Sequence, residues 1–150
     1  MVSIVPSILL SLLPNWTACP QGEPVQLMVL VILGTDQNNK VNDKLREIAP
    51  ELQKKDRTLK GFSLYKTISP SMKLGESIEI ELHDKAKATI TLGPKTDDAG
   101  RITLTVKPPK LDEIQYACTC GKFFPILTNY YTEDKKRLII AVMAKPCKKK

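Results

Sequence analysis

The sequence predicts an α+β domain in which one N-terminal strand and one kinked helix pack on an antiparallel meander sheet. Three successive hydrophobic patterns indicate this fold. They are a fully apolar run over 25–33, a stripe of helical period over 41–52, and an alternation of apolar and polar residues from Leu59 onward. The length of 150 residues suits a single domain with one core.

The run Val25–Leu33 is apolar on both faces, which is typical of a central strand covered on both sides. A turn cluster over 34–39 follows it. Beyond the turn, one helix face is predicted to carry five apolar residues: Val41, Leu45, Ile48, Ala49 and Leu52. Pro50 interrupts this stripe. Because proline removes a backbone hydrogen bond and crowds the preceding turn, the helix must kink or restart there.

From Leu59 the alternation predicts an antiparallel meander with one wet face. The tight turn at 83–85 would place Ile80 opposite Ala88, and Glu81 opposite Lys87 in a favourable cross-strand charge pair. Segments that alternate in this way are 59–68, 77–82, 86–92 and 101–107.

A last hairpin is predicted after Pro108-Pro109, which ends the meander. Its strands are Phe123–Tyr131 and Arg137–Ala144. Leu138–Ala144 is apolar on both faces, so we expect this second strand to be central in its sheet.

The charge distribution along the chain indicates export. The first 39 residues contain no Lys or Arg, and the segment 1–18 includes the apolar run Ile4–Leu13 just before Cys19. This pattern is typical of a signal peptide or apolar leader, with a retained buried segment or lipidation of Cys19 as alternatives. The mature protein would be a secreted or periplasmic domain over 25–147 with a basic tail, 148–150. No apolar run in the sequence is long enough to span a membrane as a helix.

The net charge of +7 divides into −2 over the first 39 residues and +9 over the rest. Such an excess favours an anionic partner: nucleic acid, lipid headgroups or acidic polysaccharide. Solubility alone is the plain alternative. Aromatic and basic residues mix near the last hairpin, as they do in single-strand nucleic-acid binders. However, Phe123-Phe124 are expected to pack and Lys135–Arg137 to form a charge run at a turn, and an export leader argues against nucleic acid.

The four cysteines allow several kinds of chemistry. Cys118 and Cys120 would lie on one face of a strand, and Cys-x-Cys suits a soft metal such as Cu(I). A zinc site usually requires four Cys or His ligands, whereas the chain has one histidine. If Glu133-Asp134 is a two-residue turn, Cys120 lies opposite Cys147, and we predict a disulfide between them. Free buried thiols, or a metal or redox site, are the alternatives.

We predict no catalytic residue and no cofactor. His83 lies in a turn beside Asp84, without a nucleophile in the surrounding pattern, and is expected to be structural or solvated. Glu79 and Glu81 share the wet face and do not form a convincing acid–base pair. A small threonine ladder is expected on the wet side of an ordinary strand pair if Thr91 opposes Thr103. The four threonines of that ladder are Thr89, Thr91, Thr103 and Thr105.

Several short segments carry a resemblance to a protein family. The segments are Leu59-Lys60-Gly61-Phe62, Lys73-Leu74-Gly75-Glu76, 120–125 and 137–147. Through them the chain resembles uncharacterised exported proteins of planctomycete-type bacteria over most of residues 25–147. The resemblance implies that the hairpin flanked by Cys120 and Cys147 belongs to the family pattern. It implies no activity and no site residues.

The function that these observations favour is a non-catalytic binding or structural module of the cell envelope. Its partner would be an anionic envelope component or another envelope protein, with no nucleic acid and no membrane span in the mature chain. The alternative is a small copper or redox carrier that uses Cys118 and Cys120.

Overall fold

A computed structural model describes residues 24–94, 101–118 and 121–145, and for Cys118 it describes the backbone only. These residues form nine β-strands, one 3-10 turn and one short α-helix. The element bounds are β1 Val25–Thr35, the 3-10 turn Asp43–Leu45, α1 Ala49–Lys55, β2 Gly61–Ile68, β3 Ser71–Met72, β4 Ser77–Glu81, β5 Lys87–Leu92, β6 Ile102–Lys107, β7 Ile114–Cys118, β8 Phe124–Tyr131 and β9 Arg137–Ala144.

The strands form two antiparallel sheets. The first sheet has the order β2-β1-β9-β8, with β3 paired to β1, and the second has the order β4-β5-β6-β7. The described residues are therefore mostly antiparallel β with a single short α-helix, richer in strand than the predicted α+β domain. The meander is confirmed as the second sheet. The expectation of a separate N-terminal strand packed on one meander is not confirmed, because β1 is a central strand of the first sheet.

Both faces of β1 and β9 are buried, one by the second sheet and the other by the helical segment. Alternate residues of β1, such as Val29 and Val31, join a core shared with the second sheet. The residues between them, such as Leu30 and Ile32, pack against the 3-10 turn and α1. We call the segment 43–55, which contains these two elements, the helical layer. Strands that are apolar on both faces must be covered twice, and the sequence supplies a sheet for one face and a helical segment for the other.

The predicted helix divides into two short pieces. Asn42 caps the 3-10 turn by accepting a hydrogen bond from the backbone N–H of Lys44. Pro50 lies in the first turn of α1, where the missing N–H costs nothing, so the helix restarts there. The predicted stripe is confirmed, because Leu45, Ile48, Ala49 and Leu52 are buried against the first sheet.

The second sheet follows the predicted hairpin register and adds one strand that the pattern did not indicate. Ile80 opposes Ala88 and Glu81 opposes Lys87, as expected. The Nζ atom of Lys87, however, lies 3.8 Å from Oε1 of Glu79. The additional strand is β7, which pairs with β6.

The threonines on the outer face of this sheet are shifted from the expected register. Thr91 opposes Thr105 rather than Thr103. The hydroxyl groups of Ser77 and Thr91 lie 2.6 Å apart, which extends the polar row onto β4.

The last hairpin has the predicted strands but a different turn and register. Lys135 adopts a left-handed backbone (φ 64°), and its N–H donates to the carbonyl of Thr132. In addition, residues 128–130 of β8 bulge opposite Leu138. Glu133-Asp134 therefore does not form the two-residue turn on which the predicted register depends, because five residues separate Tyr131 from Arg137 and the bulge inserts residues into one strand only.

No helix in the described ranges has the length and apolar character needed to traverse a lipid bilayer.

Candidate binding clefts

The cysteine predictions fall outside the described side chains. Cys19, Cys120 and Cys147 lie outside the described residues, and Cys118 ends β7 without a described side chain. The disulfide and the copper alternative therefore stay predictions. Among the described residues, no group of three or more His, Cys, Asp or Glu side chains could hold a metal ion. The leader 1–18 and the tail 148–150 also lie outside the described residues.

One open cleft of about 580 Å³ collects lysines from three parts of the second sheet. Lys87 lies on β5, Lys107 ends β6, and Lys110 follows in the turn after it. The pairing of β5 with β6 places Thr89 opposite Lys107. We call this the lysine cleft. Its lining is Lys87, Thr89, Lys107, Pro108, Pro109, Lys110, Leu111, Asp112 and Asn129.

Two rigid features shape the loop side of the lysine cleft. Pro108 and Pro109 restrict the backbone directly before Lys110, which adopts a left-handed conformation with φ of 57°. The side-chain amide of Asn129, in the β8 bulge, donates to the carbonyl of Lys110 across a long 3.5 Å contact. The loop thus meets the edge of the first sheet, and the cleft lies between them.

The charge balance of the lysine cleft is positive. Three lysines face a single carboxylate in the lining, that of Asp112. Lys87 has Glu79 as a partner, but both side chains are at least half exposed, so this pair contributes little. Within the described part of the chain, Lys107 and Lys110 form no salt bridge. Lys110 instead places its Nζ atom 5.7 Å from the centre of the Tyr130 ring.

A second cleft, of about 620 Å³, is lined in part by Tyr130, the residue whose ring Lys110 approaches. His83 packs between two tyrosines, with its ring centre 4.8 Å from that of Tyr65 and 6.2 Å from that of Tyr130. His83 occupies the turn between β4 and β5, as predicted, and its role there is aromatic packing. We call this the aromatic cleft. Its lining is Tyr65, His83, Asp84, Tyr130, Tyr131, Thr132, Glu133 and Asp134.

The aromatic cleft is exposed and acidic. Tyr65 and Tyr131 are 47% and 53% exposed, and they are the two exposed large hydrophobic residues among those described. Asp84, Glu133 and Asp134 form no salt bridge or side-chain hydrogen bond with any described residue. The charged residues that line this cleft are thus acidic, although the chain as a whole has 23 basic and 16 acidic residues.

A buried contact network holds the bulge that presents Tyr130 and Tyr131. Thr128 is fully buried, and its hydroxyl donates to the carbonyl of Leu138 at 2.7 Å and accepts from the N–H of Tyr130. The Nε atom of Arg137 donates to the carbonyl of Thr128 at 2.7 Å. The guanidinium also lies 5.9 Å from the centre of the Tyr131 ring.

Arg137 is anchored in turn by Asp56, at the end of α1. Its Nη1 atom lies 2.7 Å from Oδ2 of Asp56, and both side chains are less than one-fifth exposed. The Thr58 hydroxyl donates to Oδ1 of Asp56 at 2.6 Å. This hydrogen bond and Arg137 hold the pKa of Asp56 below its ordinary value, although partial burial opposes them.

The aromatic residues near the last hairpin divide between core and surface. Phe124 stacks on Tyr116 with ring centres 3.7 Å apart, and Phe123 packs against the core of the helical layer. Their predicted packing is confirmed. Tyr65 was not expected near this hairpin, because its only sequence signal is an aromatic residue on the polar face of β2.

Comparisons with protein-family models, with curated proteins and with solved structures find no match for this chain.

Proposed function

We propose that this protein is a non-catalytic binding module, exported to the cell envelope, that holds an anionic partner in the lysine cleft. The observation that carries the proposal is the convergence of Lys87, Lys107 and Lys110 on one cleft. Thr89 and Asn129 add neutral polar groups that can donate to carboxylate, sulfate or phosphate oxygens. The apolar leader and the excess of +9 over residues 40–150 support export and an anionic partner.

The open cleft has room for part of an acidic glycan. A volume of about 580 Å³ is within the range of small-molecule sites, and it could take one or two charged sugar units. Exposed lysines bind by charge with modest energy per contact, so the affinity should depend on several contacts acting together. Such binding also weakens with salt, because exposed charges are screened over about 8 Å at physiological ionic strength.

The test compares two variants that lose the same charge. The first carries Lys87→Gln, Lys107→Gln and Lys110→Gln. The matched control carries Lys54→Gln, Lys55→Gln and Lys60→Gln, three exposed lysines on and after α1. Binding of an oligogalacturonate is measured by calorimetry at low and high salt, with a neutral glucan and anionic liposomes for comparison.

We expect the cleft variant to bind the acidic glycan about tenfold more weakly, taking about 0.5 kcal/mol for each lost ion pair. The control variant should lose little. An equal loss in both variants would show that the net charge attracts the glycan without a defined site, and removal of the tail Lys148–Lys150 would then weaken binding similarly. Binding that does not respond to salt would contradict the proposal.

A further inference from the structure

The aromatic cleft has the chemistry of a site for an organic cation, and this inference is independent of the lysine cleft. We propose that it binds a weakly hydrated cation of the quaternary ammonium class. Aromatic ring faces attract such ions through the ring quadrupole, and nearby carboxylates add charge attraction. The cleft presents both kinds of group: the rings of Tyr65, Tyr130 and Tyr131, and three carboxylates.

Two of these tyrosine rings already have a cationic side chain of the protein near their centres. Lys110 lies over the ring of Tyr130 and Arg137 over the ring of Tyr131. Neither cation lines the aromatic cleft itself. Tyr65 contacts the ring of His83 and makes no cation contact within the described residues, and it remains 47% exposed. Its ring is therefore the one best placed to meet a ligand.

The carboxylates make the cleft selective for positive charge. Asp84 lies on the hairpin turn of the second sheet, whereas Glu133 and Asp134 lie on the turn of the last hairpin. Two separate turns thus place acidic groups around one cavity. Lys85 and Lys135 adjoin these residues in sequence but do not line the cavity. A neutral ligand of the same shape would gain the apolar contact without the charge attraction.

The cavity also has room for such a ligand. Its volume of about 620 Å³ is within the range of small-molecule sites, so a trimethylammonium group and its substituent could fit together. The same group can occur in a free solute or in a lipid headgroup, and the experiment separates these sources.

The test uses the full chain and choline, with His83 as the reporter. Because the chain has one histidine, the Cε1–H proton of its imidazole gives one assignable NMR signal from the lining of the cleft. Titration with choline chloride should shift this signal and the tyrosine ring signals to saturation. The neutral isostere 3,3-dimethylbutan-1-ol and an equal concentration of sodium chloride should not. Equal shifts with the neutral isostere, or no saturable shift with choline, would overturn the proposal.

Variants separate the ring contribution from the charge contribution. Tyr65→Leu should weaken choline binding about threefold, which is the scale of one exposed cation–ring contact. Glu133→Gln with Asp134→Asn should weaken it by a similar factor. The matched control, Glu47→Gln with Glu51→Gln, removes the same charge from the helical layer and should leave the affinity unchanged. If the control lost as much affinity as the cleft variant, diffuse charge would explain the binding, and the site would be refuted.

Two further experiments identify the source of the ligand and test whether the two clefts bind independently. Cosedimentation with phosphatidylcholine vesicles, in addition to choline binding, would assign a lipid headgroup, whereas choline binding alone would assign a free solute. Both outcomes uphold the cation site. A double variant, Lys87→Gln with Lys107→Gln, leaves Lys110 over the Tyr130 ring and should bind choline at least as tightly as the unaltered protein, because it removes only positive charge outside the aromatic cleft. Loss of choline binding in that variant would contradict separate sites.

Discussion

The two sheets of this protein differ in how many of their faces are buried. The central strands β1 and β9 of the first sheet are apolar on both faces and are covered by the second sheet and the helical layer. The second sheet buries one face and keeps the other polar, with burial that alternates along β5 and β6. The first sheet therefore provides a rigid centre, while both clefts lie where its exposed edges meet the turns of the second sheet.

The largest expected effect comes from the doubly buried strand β9. Ile139 and Ile140 are both fully buried but face opposite sides of the sheet. Ile139→Ala and Ile140→Ala should each lower the free energy of unfolding by about 2–5 kcal/mol, since each removes apolar contacts and leaves a cavity. Urea denaturation measures both. A loss below about 1 kcal/mol for Ile139→Ala would mean that the helical layer does not cover the sheet, and the contrast between the sheets would fail.

A smaller effect is expected at the contact between the helical layer and β9. Asp56→Asn should lower the free energy of unfolding by about 1.5–3 kcal/mol near pH 7, the scale of hydrogen bonds to charged groups. Because the folded pKa of Asp56 lies below its ordinary value of 3.8, its contribution is complete above that value and is lost as the pH falls through the folded pKa.

The pH dependence supplies the check on this prediction. Urea denaturation from pH 7 to pH 2 should give a flatter acid limb for Asp56→Asn than for the unaltered protein. Identical acid limbs would show that the ion pair with Arg137 contributes no stability.

The smallest effects are expected from replacing one threonine by valine in each sheet, which compares a buried face with a solvent-exposed face. Thr128→Val removes a fully buried hydroxyl that bonds to Leu138 and Tyr130, and should cost about 1–3 kcal/mol. Thr105→Val replaces a hydroxyl on the wet face of β6 and should change the free energy of unfolding by no more than about 0.5 kcal/mol. Thermal or urea unfolding compares the two. Equal costs would mean that the outer face of the second sheet is covered.

Much of the secondary structure could be predicted, because hydrophobic period is a local property. The run Val25–Leu33 and the segment Leu138–Ala144 are apolar on both faces, which predicts strands covered on both sides, and both lie in central strands of the first sheet. The strand β7 was missed because its alternation is short and follows two prolines. The register of the last hairpin was wrong, since a turn with Lys135 in a left-handed conformation cannot be distinguished from a two-residue turn by apolar pattern alone.

The candidate clefts could be predicted only in fragments. The excess of lysine and the single histidine are visible in the sequence, but the residues that surround them in the folded protein are not. Tyr65 meets His83 because β2 and the turn after β4 approach one another across the two sheets. Asp56 meets Arg137 across 81 residues of chain, and that contact helps to hold the bulge beneath the aromatic cleft.

The sequence by itself determined which residues are apolar, in what period, and therefore which segments become strands, which becomes a helix and where Pro50 restarts it. Only the tertiary structure decided that the strands divide into two sheets, that β1 pairs with β9, and which side chains line the lysine and aromatic clefts. The physical reason is one of range. Side-chain period follows from backbone geometry within a few residues, whereas the partner that covers an apolar face is selected by packing among segments distant in the chain.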